Sequence, residues 1–383
     1  MKSIHISIND SSPKKIFWSH EFSVGKEFID NDHKSLFNIY NQMVDYLENA
    51  PYTERFAELL SKMTDYSLSH FSKEEEYMMS IQYPNFKAHR EQHKSYIKKT
   101  ALYNSRFMSA DPPVLKDIVL FLQDWWKEHI LFKDMKYELY RRNLILKEIR
   151  DSIKSVSSDE GRISGERFFK ENVKIYGAKS ADISAISREA FKKLEDKDKT
   201  AVFALCEDLL KSGFLEESFI ACDWAFRTRK GFEKKDFELF QYWINSYVTN
   251  WATCDTFCNH TMGDFIDKWP VYITNLKSWT SSPNRWVRRA SAVSLIVPAR
   301  EGRYKEDIFE IADLLLHDND DMVQKGYGWM LKVCSKPYPQ EVFRFVMERK
   351  EIMPRTSLRY AIEKLPDEMK KEAMKKEAII KHN

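Results

Sequence analysis

Glycine is scarce in this chain, with 10 in 383 residues, and proline is little commoner at 12. So few glycines, with no alternating apolar–polar stretch of any length, exclude a sheet protein and leave helices as the main element. Cysteine is sparse too: Cys206, Cys222, Cys254, Cys258 and Cys334 are odd in number and contain no C-x-x-C pair. That pattern excludes a disulfide framework and points to reduced thiols in a cytoplasmic protein. Cys254 and Cys258 share a helical face and are expected as buried structural thiols, because two thiols alone make a poor metal site. No apolar run approaches the ~20 residues of a membrane span, so no membrane partner is expected. The opening M-K-S-I-H-I-S-I-N-D is too polar for a signal peptide. Excess charge of one sign is also lacking. A formal net charge of +3 excludes a histone-like polybasic protein while leaving room for a local basic groove.

What is present is ample core. Hydrophobic residues make up 43% of the chain and aromatics 14%, and the length predicts two domains or more. Residues 1–17 read as a short arm. Four long amphipathic segments follow, at roughly 20–48, 53–79, 85–107 and 113–140, separated by Ala50-Pro51, Pro84 and Pro112-Pro113. Helices stop at such prolines, and four helices with short loops make an up-down bundle. The first domain is placed at 1–150. The Ser-rich, apolar-poor stretch 151–166 reads as a linker. Over 167–383 helical segments recur in pairs, near 184–212 with 216–230, 235–250 with 253–268, 270–280 with 286–299, 304–317 with 320–335, and 338–349 with 355–364. A pair every 35–40 residues is the period of a HEAT-like α-solenoid. The fold class expected is therefore all-α, a four-helix bundle followed by a HEAT-like solenoid.

Five of the 10 histidines fall in the bundle at regular spacings. His70 and Glu74 are four apart, as are His89 and His93; His129 and Asp134 are five apart, and His33 stands upstream in I-D-N-D-H-K. Residues four apart share a helical face, so each segment can aim two donors at one point. Imidazole with carboxylate suits iron, manganese or zinc. Seven donors exceed what one tetrahedral zinc takes, so two metals fit the count better. His5, His20, His260, His317 and His382 fall outside the pattern and are expected to be structural or exposed.

The stretches W-S-H-E-F-S-V-G-K-E-F-I-D-N-D-H-K, Y-S-L-S-H-F-S-K-E-E-E-Y-M, Y-P-N-F-K-A-H-R-E-Q-H and F-L-Q-D-W-W-K-E-H-I-L-F-K-D resemble bacterial hemerythrin over about residues 16–142. The resemblance implies two iron ions, one on His89, His93 and His129 and the other on His33 and His70. Glu74 and Asp134 would bridge them, with one open position for dioxygen or a similar small ligand. Where that family usually has Leu facing the open site, a turn before His129, this chain has Trp126, an indole large enough to narrow the pocket.

In the second half, Trp251 and Asp255 are four apart in N-W-A-T-C-D, and Trp329 lies two repeats on. Arg288 and Arg289, then Lys325, Lys332, Lys336, Arg355 and Arg359, intersperse cations among these aromatics, as a nucleic-acid backbone groove requires. A lone acid repels phosphate, which makes Asp255 a catalytic candidate, beside the alternative that the tryptophans of such repeats are core and the arginines tie repeat to repeat. W-I-N-S-Y-V-T-N-W-A-T-C-D, S-S-P-N-R-W-V-R-R-A-S-A-V, M-V-Q-K-G-Y-G-W-M-L-K-V and M-P-R-T-S-L-R-Y-A-I-E-K-L resemble the DNA alkylation repair family over about 185–366. The resemblance implies an alkylpurine DNA glycosylase acting on double-stranded DNA, with Asp255 as catalytic acid, Trp251 and Trp329 flanking it, and the family's arginine at Arg288 or Arg289. The expected function is a glycosylase for cationic N3- or N7-alkylated purines, fused to a di-iron domain that binds or senses dioxygen or a related diatomic ligand. The alternative is a non-catalytic solenoid that binds nucleic acid or a partner and is regulated by that domain. The sequence leaves the oligomeric state open.

Overall fold

The computed structural model describes residues 12–49, 53–107, 109 and 112–375. His5, His382, Pro51 and the arm up to residue 11 lie outside the described residues. The chain divides into two compact units, Met1–Lys147 and Glu148–Asn383.

The first unit is a helical bundle of α1 (Glu27–Asn49), α2 (Thr53–Ser80), α3 (Phe86–Arg106) and α4 (Leu115–Glu128), then a π-helical turn, His129–Asp134, and the start of α5 (Met135–Ser155). Helix α1 packs on α2 and α4, and α2 on α3. Leu36, Tyr40 and Met43, spaced four and three apart, bury one stripe of α1 against Phe56, Leu60, Met63, Phe71 and Leu122. Helix α3 is different. Its buried stripe is His89, His93, Tyr96 and Thr100, so imidazoles occupy positions that a bundle normally gives to leucine.

The second unit contains α6 (Asp159–Glu166), α7 (Ser180–Lys193), α8 (Lys199–Lys211), α9 (Leu215–Arg227), α10 (Asp236–Tyr247), α11 (Trp251–Phe257), α12 (Gly263–Lys268), α13 (Ile273–Trp279), α14 (Arg285–Val293), α15 (Ile296–Arg300), α16 (Lys305–Leu314), α17 (Asp321–Cys334), α18 (Pro339–Arg349), α19 (Arg355–Ala361) and α20 (Asp367–Met374). A second π turn, Cys258–Met262, joins α11 to α12. Helices α9, α11, α14, α17 and α19 pack in succession as a spine row. Partner helices α8, α13 and α16 lie on α9, α14 and α17 respectively. This is a solenoid-like stack, and among the described residues there is no strand, only an isolated bridge between Lys174 and Phe214. The five cysteines are buried and free. No helix among the described residues is long and apolar enough to cross a membrane.

Several segments differ from the pattern expected of them. The first bundle helix starts at Glu27 rather than near 20, and the last runs on through α5 to Ser155 rather than ending near 140. Residues 151–166, read as a linker, are helical in the last turn of α5 and in α6. Ser158 caps α6 by accepting from the Gly161 N–H at 3.0 Å. Gly161 also admits the Gly177 carbonyl, which would lie 2.2 Å from a Cβ. The serine and glycine there serve a cap and a close approach. The segment 184–212 is two helices, because Asp198 starts α8 by accepting from the Thr200 N–H at 3.0 Å.

The tightest spine contact joins α17 to α19. A Cβ on Gly328 would stand 2.9 Å from the Ser357 carbonyl oxygen and 2.8 Å from the Tyr360 Cβ. Gly328→Ala should therefore destabilise the second unit by about 1–3 kcal/mol, the usual cost of overpacking. Urea unfolding followed by tryptophan fluorescence measures this, and an unchanged midpoint would show that the helices separate freely.

Candidate metal centre and candidate nucleic-acid face

The local conformation of α4 decides whether the bundle can gather its donors. In an α-helix, at 3.6 residues per turn, residues five apart diverge by roughly 140°. A π turn bonds i to i+5 and stacks such residues on one side. His129 and Asp134 are the first and last residues of the π turn, and the ring nitrogen Nε2 of His129 lies 3.2 Å from Asp134 Oδ1.

All seven expected donors are buried and converge. Two clusters of ligand atoms form, Glu74 with His89, His93 and His129, and Glu74 with His33 and His70; within each, the atoms lie within 4.8 Å of one another. Glu74 is common to both. Its Oε2 is 3.2 Å from His93 Nε2, 3.7 Å from His70 Nε2 and 3.9 Å from His89 Nε2. Asp134 also reaches both sides: Oδ1 is 3.4 Å from His89 Nε2, and Oδ2 is 3.5 Å from His33 Nε2. The Nε2 atoms of His93 and His129 face each other at 3.0 Å, as lone pairs aimed at a common point would.

The polar atoms here lack protein partners. Both ring nitrogens of His33 and His70, both oxygens of Glu74 and Asp134, His89 Nε2 and His129 Nδ1 are buried without a hydrogen bond. Burial pushes the His33 imidazole down to about 3, with neighbouring His70 acting in the same direction. Burial likewise holds His129 far below the usual histidine range. Burial opposes charge on Glu74, but the neighbouring imidazoles of His89 and His93, and then of His70, outweigh it and hold the carboxyl well below its usual range. Burial and then the Glu74 charge push Asp134 well up. Neutral imidazoles beside two carboxylates in conflict over one charge fit a metal site, because a cation removes the conflict.

Two outer partners escaped the sequence reading. Glu75 Oε1 lies 3.0 Å from His93 Nδ1, and Asp32 Oδ2 lies 3.6 Å from His70 Nδ1. Both follow the pattern in which a carboxylate orients a ligand imidazole through its far nitrogen. Their one sequence signal is adjacency, Asp32 to His33 and Glu75 to Glu74. Aromatic rings enclose the cluster. Phe71 stacks on His93 with centroids 3.9 Å apart, and Trp125 on His129 at 4.2 Å. Trp126 is buried with its ring 5.7 Å from His70, on the two-imidazole side, and its indole N–H donates to Tyr96 Oη at 3.1 Å.

In the second unit, Asp255 sits on α11 one turn after Trp251, and Arg289 reaches it from α14. Arg289 Nε donates to Asp255 Oδ1 and Nη2 to Oδ2, both at 2.8 Å, while Nη1 donates to the Met322 carbonyl. Burial raises Asp255, and Arg289 opposes that rise. Trp251 and Trp329 are both half-buried, Trp251 with Phe169 stacked on it at 5.5 Å. The expected cations divide into two sets. Arg288 and Arg289, expected at the DNA backbone, have internal partners instead. Arg288 pairs with Asp318 at 2.6 Å and donates to the Ser282 and Pro283 carbonyls, tying the loop before α14 to the loop before α17. Lys325 pairs with Asp321 at 3.2 Å and Lys332 with Glu363 at 2.7 Å. Arg355, Arg359 and Lys336 are exposed, Arg355 with Nη2 3.6 Å from the Met374 sulfur.

The geometry defines the class: a helical bundle with a buried histidine–carboxylate metal site, on one chain with a solenoid-like stack bearing a buried Asp–Arg pair. Residues 149–365 match the family described as DNA alkylation repair enzyme, and residues 24–138 match the hemerythrin HHE cation binding domain. A bacteriohemerythrin of Clostridium acetobutylicum is 35% identical over 124 residues, which are 31% of this chain and 96% of that protein. Myohemerythrin-1 of Phascolopsis gouldii is 26% identical over 127 residues, 33% of this chain and 94% of that protein. A solved structure from Enterococcus faecalis, described as a predicted DNA alkylation repair enzyme, shares the fold of the second half. Its TM-score is 0.50 at 16% identity, over 55% of this chain and 97% of that one. The chain thus belongs to the DNA alkylation repair enzyme family and carries a hemerythrin domain at its N-terminal side.

Because Glu74 belongs to both donor clusters and His70 to one, their removal should differ in kind. Glu74→Ala should abolish binding at both positions, whereas His70→Ala should lose no more than one ion per chain. Glu75→Gln should weaken binding about 10- to 100-fold, as loss of an orienting partner does. Metal analysis after dialysis against graded chelator measures all three, and equal loss from Glu74→Ala and His70→Ala would contradict the shared carboxylate.

Proposed function

We propose that the second unit is a DNA glycosylase that releases cationic N3- or N7-alkylated purines from double-stranded DNA, and that the bundle holds two iron ions and binds dioxygen or a related small ligand. Asp255 carries the first part. It is a carboxylate in a largely buried position, held by a bidentate guanidinium one turn from a half-buried indole. Alkylation at N3 or N7 makes the purine a cation and weakens its bond to the sugar. As that bond breaks, its electron pair leaves with the base and positive charge builds on the sugar. A fixed carboxylate stabilises that charge and orients the water that adds to it. The Arg289 fork holds the carboxylate in place and opposes its protonation. Indole faces at Trp251 and Trp329 favour a cationic base. Arg355 and Arg359, with Lys325 and Lys332 exchanging their carboxylate partners for phosphate, supply the backbone contacts.

The donor set supports iron in the bundle. His89, His93 and His129 would hold one ion, His33 and His70 the other, with Glu74 and Asp134 shared. The pair would supply a redox-active centre with one fewer imidazole, and hence room for a ligand, on the side that Trp126 walls. Protein prepared with ample iron should carry two iron ions per chain, and a content of one zinc or none would refute the assignment.

The decisive experiment is base release from alkylated duplex DNA. Asp255→Asn should bind DNA yet release base roughly 10²–10³-fold more slowly, the usual cost of losing one placed electrostatic stabiliser. Equal rates would remove Asp255 from the chemistry. If neither protein releases base while both bind DNA, the second unit is a binding module.

A further inference from the structure

The segment between α6 and α7 has so far had no role. Residues 167–171 read R-F-F-K-E, and they cross three successive spine helices. The Trp251 indole N–H on α11 donates to the Phe168 carbonyl at 3.4 Å, and Phe169 stacks on the same indole with the planes 26° apart. Glu171 pairs with Arg285 on α14 at 2.8 Å, and Lys170 with Asp321 on α17 at 2.7 Å. Just beyond, Val173 and Ile175 are buried with Leu215 and Ala252. The backbone is thus fixed along its length.

These contacts occupy Phe169, Lys170 and Glu171. Phe168 faces outward, 72% exposed, and Arg167 beside it is exposed. A lone exposed apolar side chain is ordinary. This one differs in its mounting. Its carbonyl is anchored to the indole one turn from Asp255, its backbone is held by two ion pairs, and cations flank it in sequence. An aromatic face with neighbouring cations suits a nucleic-acid strand, because every base offers a face to stack on and every linkage a phosphate to pair.

We infer that Phe168 is a nucleic-acid contact: its ring packs on a base or sugar of DNA lying over Asp255, with Arg167 at an adjoining phosphate. This rests on the proposal that the second unit binds DNA. Phe169 and the two ion pairs are the mount, and Phe168 is the part that touches the strand.

Fluorescence anisotropy with labelled duplex DNA tests it on the full chain. Phe168→Ala should weaken binding about 5- to 100-fold, the range of one lost base–aromatic stack. Phe168→Trp should keep wild-type affinity. Leu314→Ala, which trims an exposed apolar side chain on partner helix α16, should change nothing. Circular dichroism and melting of each variant separate lost contact from lost fold. If wild type binds and a folded Phe168→Ala binds equally well, the contact is refuted while the DNA reading stands. Tighter binding by Phe168→Ala refutes it too, because the segment would then be a cover over the face. Failure of wild type to bind DNA overturns the underlying reading, and this inference with it.

Discussion

A dry cluster of imidazoles and carboxylates is unstable unless something in its middle carries positive charge, and the bundle is organised around that fact. Each buried polar group without a partner costs about 1–3 kcal/mol. The unpartnered atoms of His33, His70, Glu74, His89, His129 and Asp134 together represent a penalty comparable to the whole stability of a domain, about 5–15 kcal/mol. A helix such as α3, with imidazoles in its buried stripe, is tolerable only if the cluster is compensated. Metal binding and folding of this unit are therefore one free energy in two forms. The rings of Phe71, Trp125 and Trp126 pack against the cluster and offer it no acceptor in place of a cation.

The second unit resolves the same difficulty with its own cation. Asp255 is largely buried, with 14% of its side chain exposed, and Arg289 meets both of its oxygens while its remaining terminal nitrogen is anchored on the Met322 carbonyl. In the proposed glycosylase, a compensated acid is the right state for stabilising a positive charge that arrives from outside, because its position is set before the substrate comes. Removing the arginine would strand the carboxylate, and breaking one side of such a buried pair is costly, about 3–5 kcal/mol. Loss of Arg289 would thus disturb stability and chemistry together.

Most of the fold and the donor set could be read from spacing. The second and third bundle segments became helices within a residue or two of their expected ends, because proline fixes where a helix stops; the last, with no proline after it, ran on about 15 residues past its expected end to Ser155. Donors four apart met because an α-helix requires it. What could not be read was geometry that departs from 3.6 residues per turn or arrives from a distant helix. The pairing of His129 with Asp134 depends on a π turn that no local pattern announces. The choice between Arg288 and Arg289 was open in sequence, since neighbours in W-V-R-R point to different sides of α14, and only the position of α11 shows which one meets Asp255. Ser158 and Gly161 misled because composition cannot distinguish a flexible joint from a helix cap and a close approach.

Joining such modules on one chain does not by itself make them communicate. A metal that binds only the folded bundle stabilises that unit in proportion to the logarithm of its concentration over its dissociation constant. Coupling between sites is typically about 1–3 kcal/mol, small beside the penalty that a cation relieves in the bundle. The size of the effect is therefore no obstacle to signalling. The requirement is structural: the repair unit must have two conformations that bind DNA unequally, and the metal state must favour one of them. The Asp255–Arg289 pair already satisfies its own charge, so a signal acting through the acid would have to break it. If the metal state reaches the repair chemistry, it must act on which parts of the spine face meet the strand rather than on the charge of the acid itself.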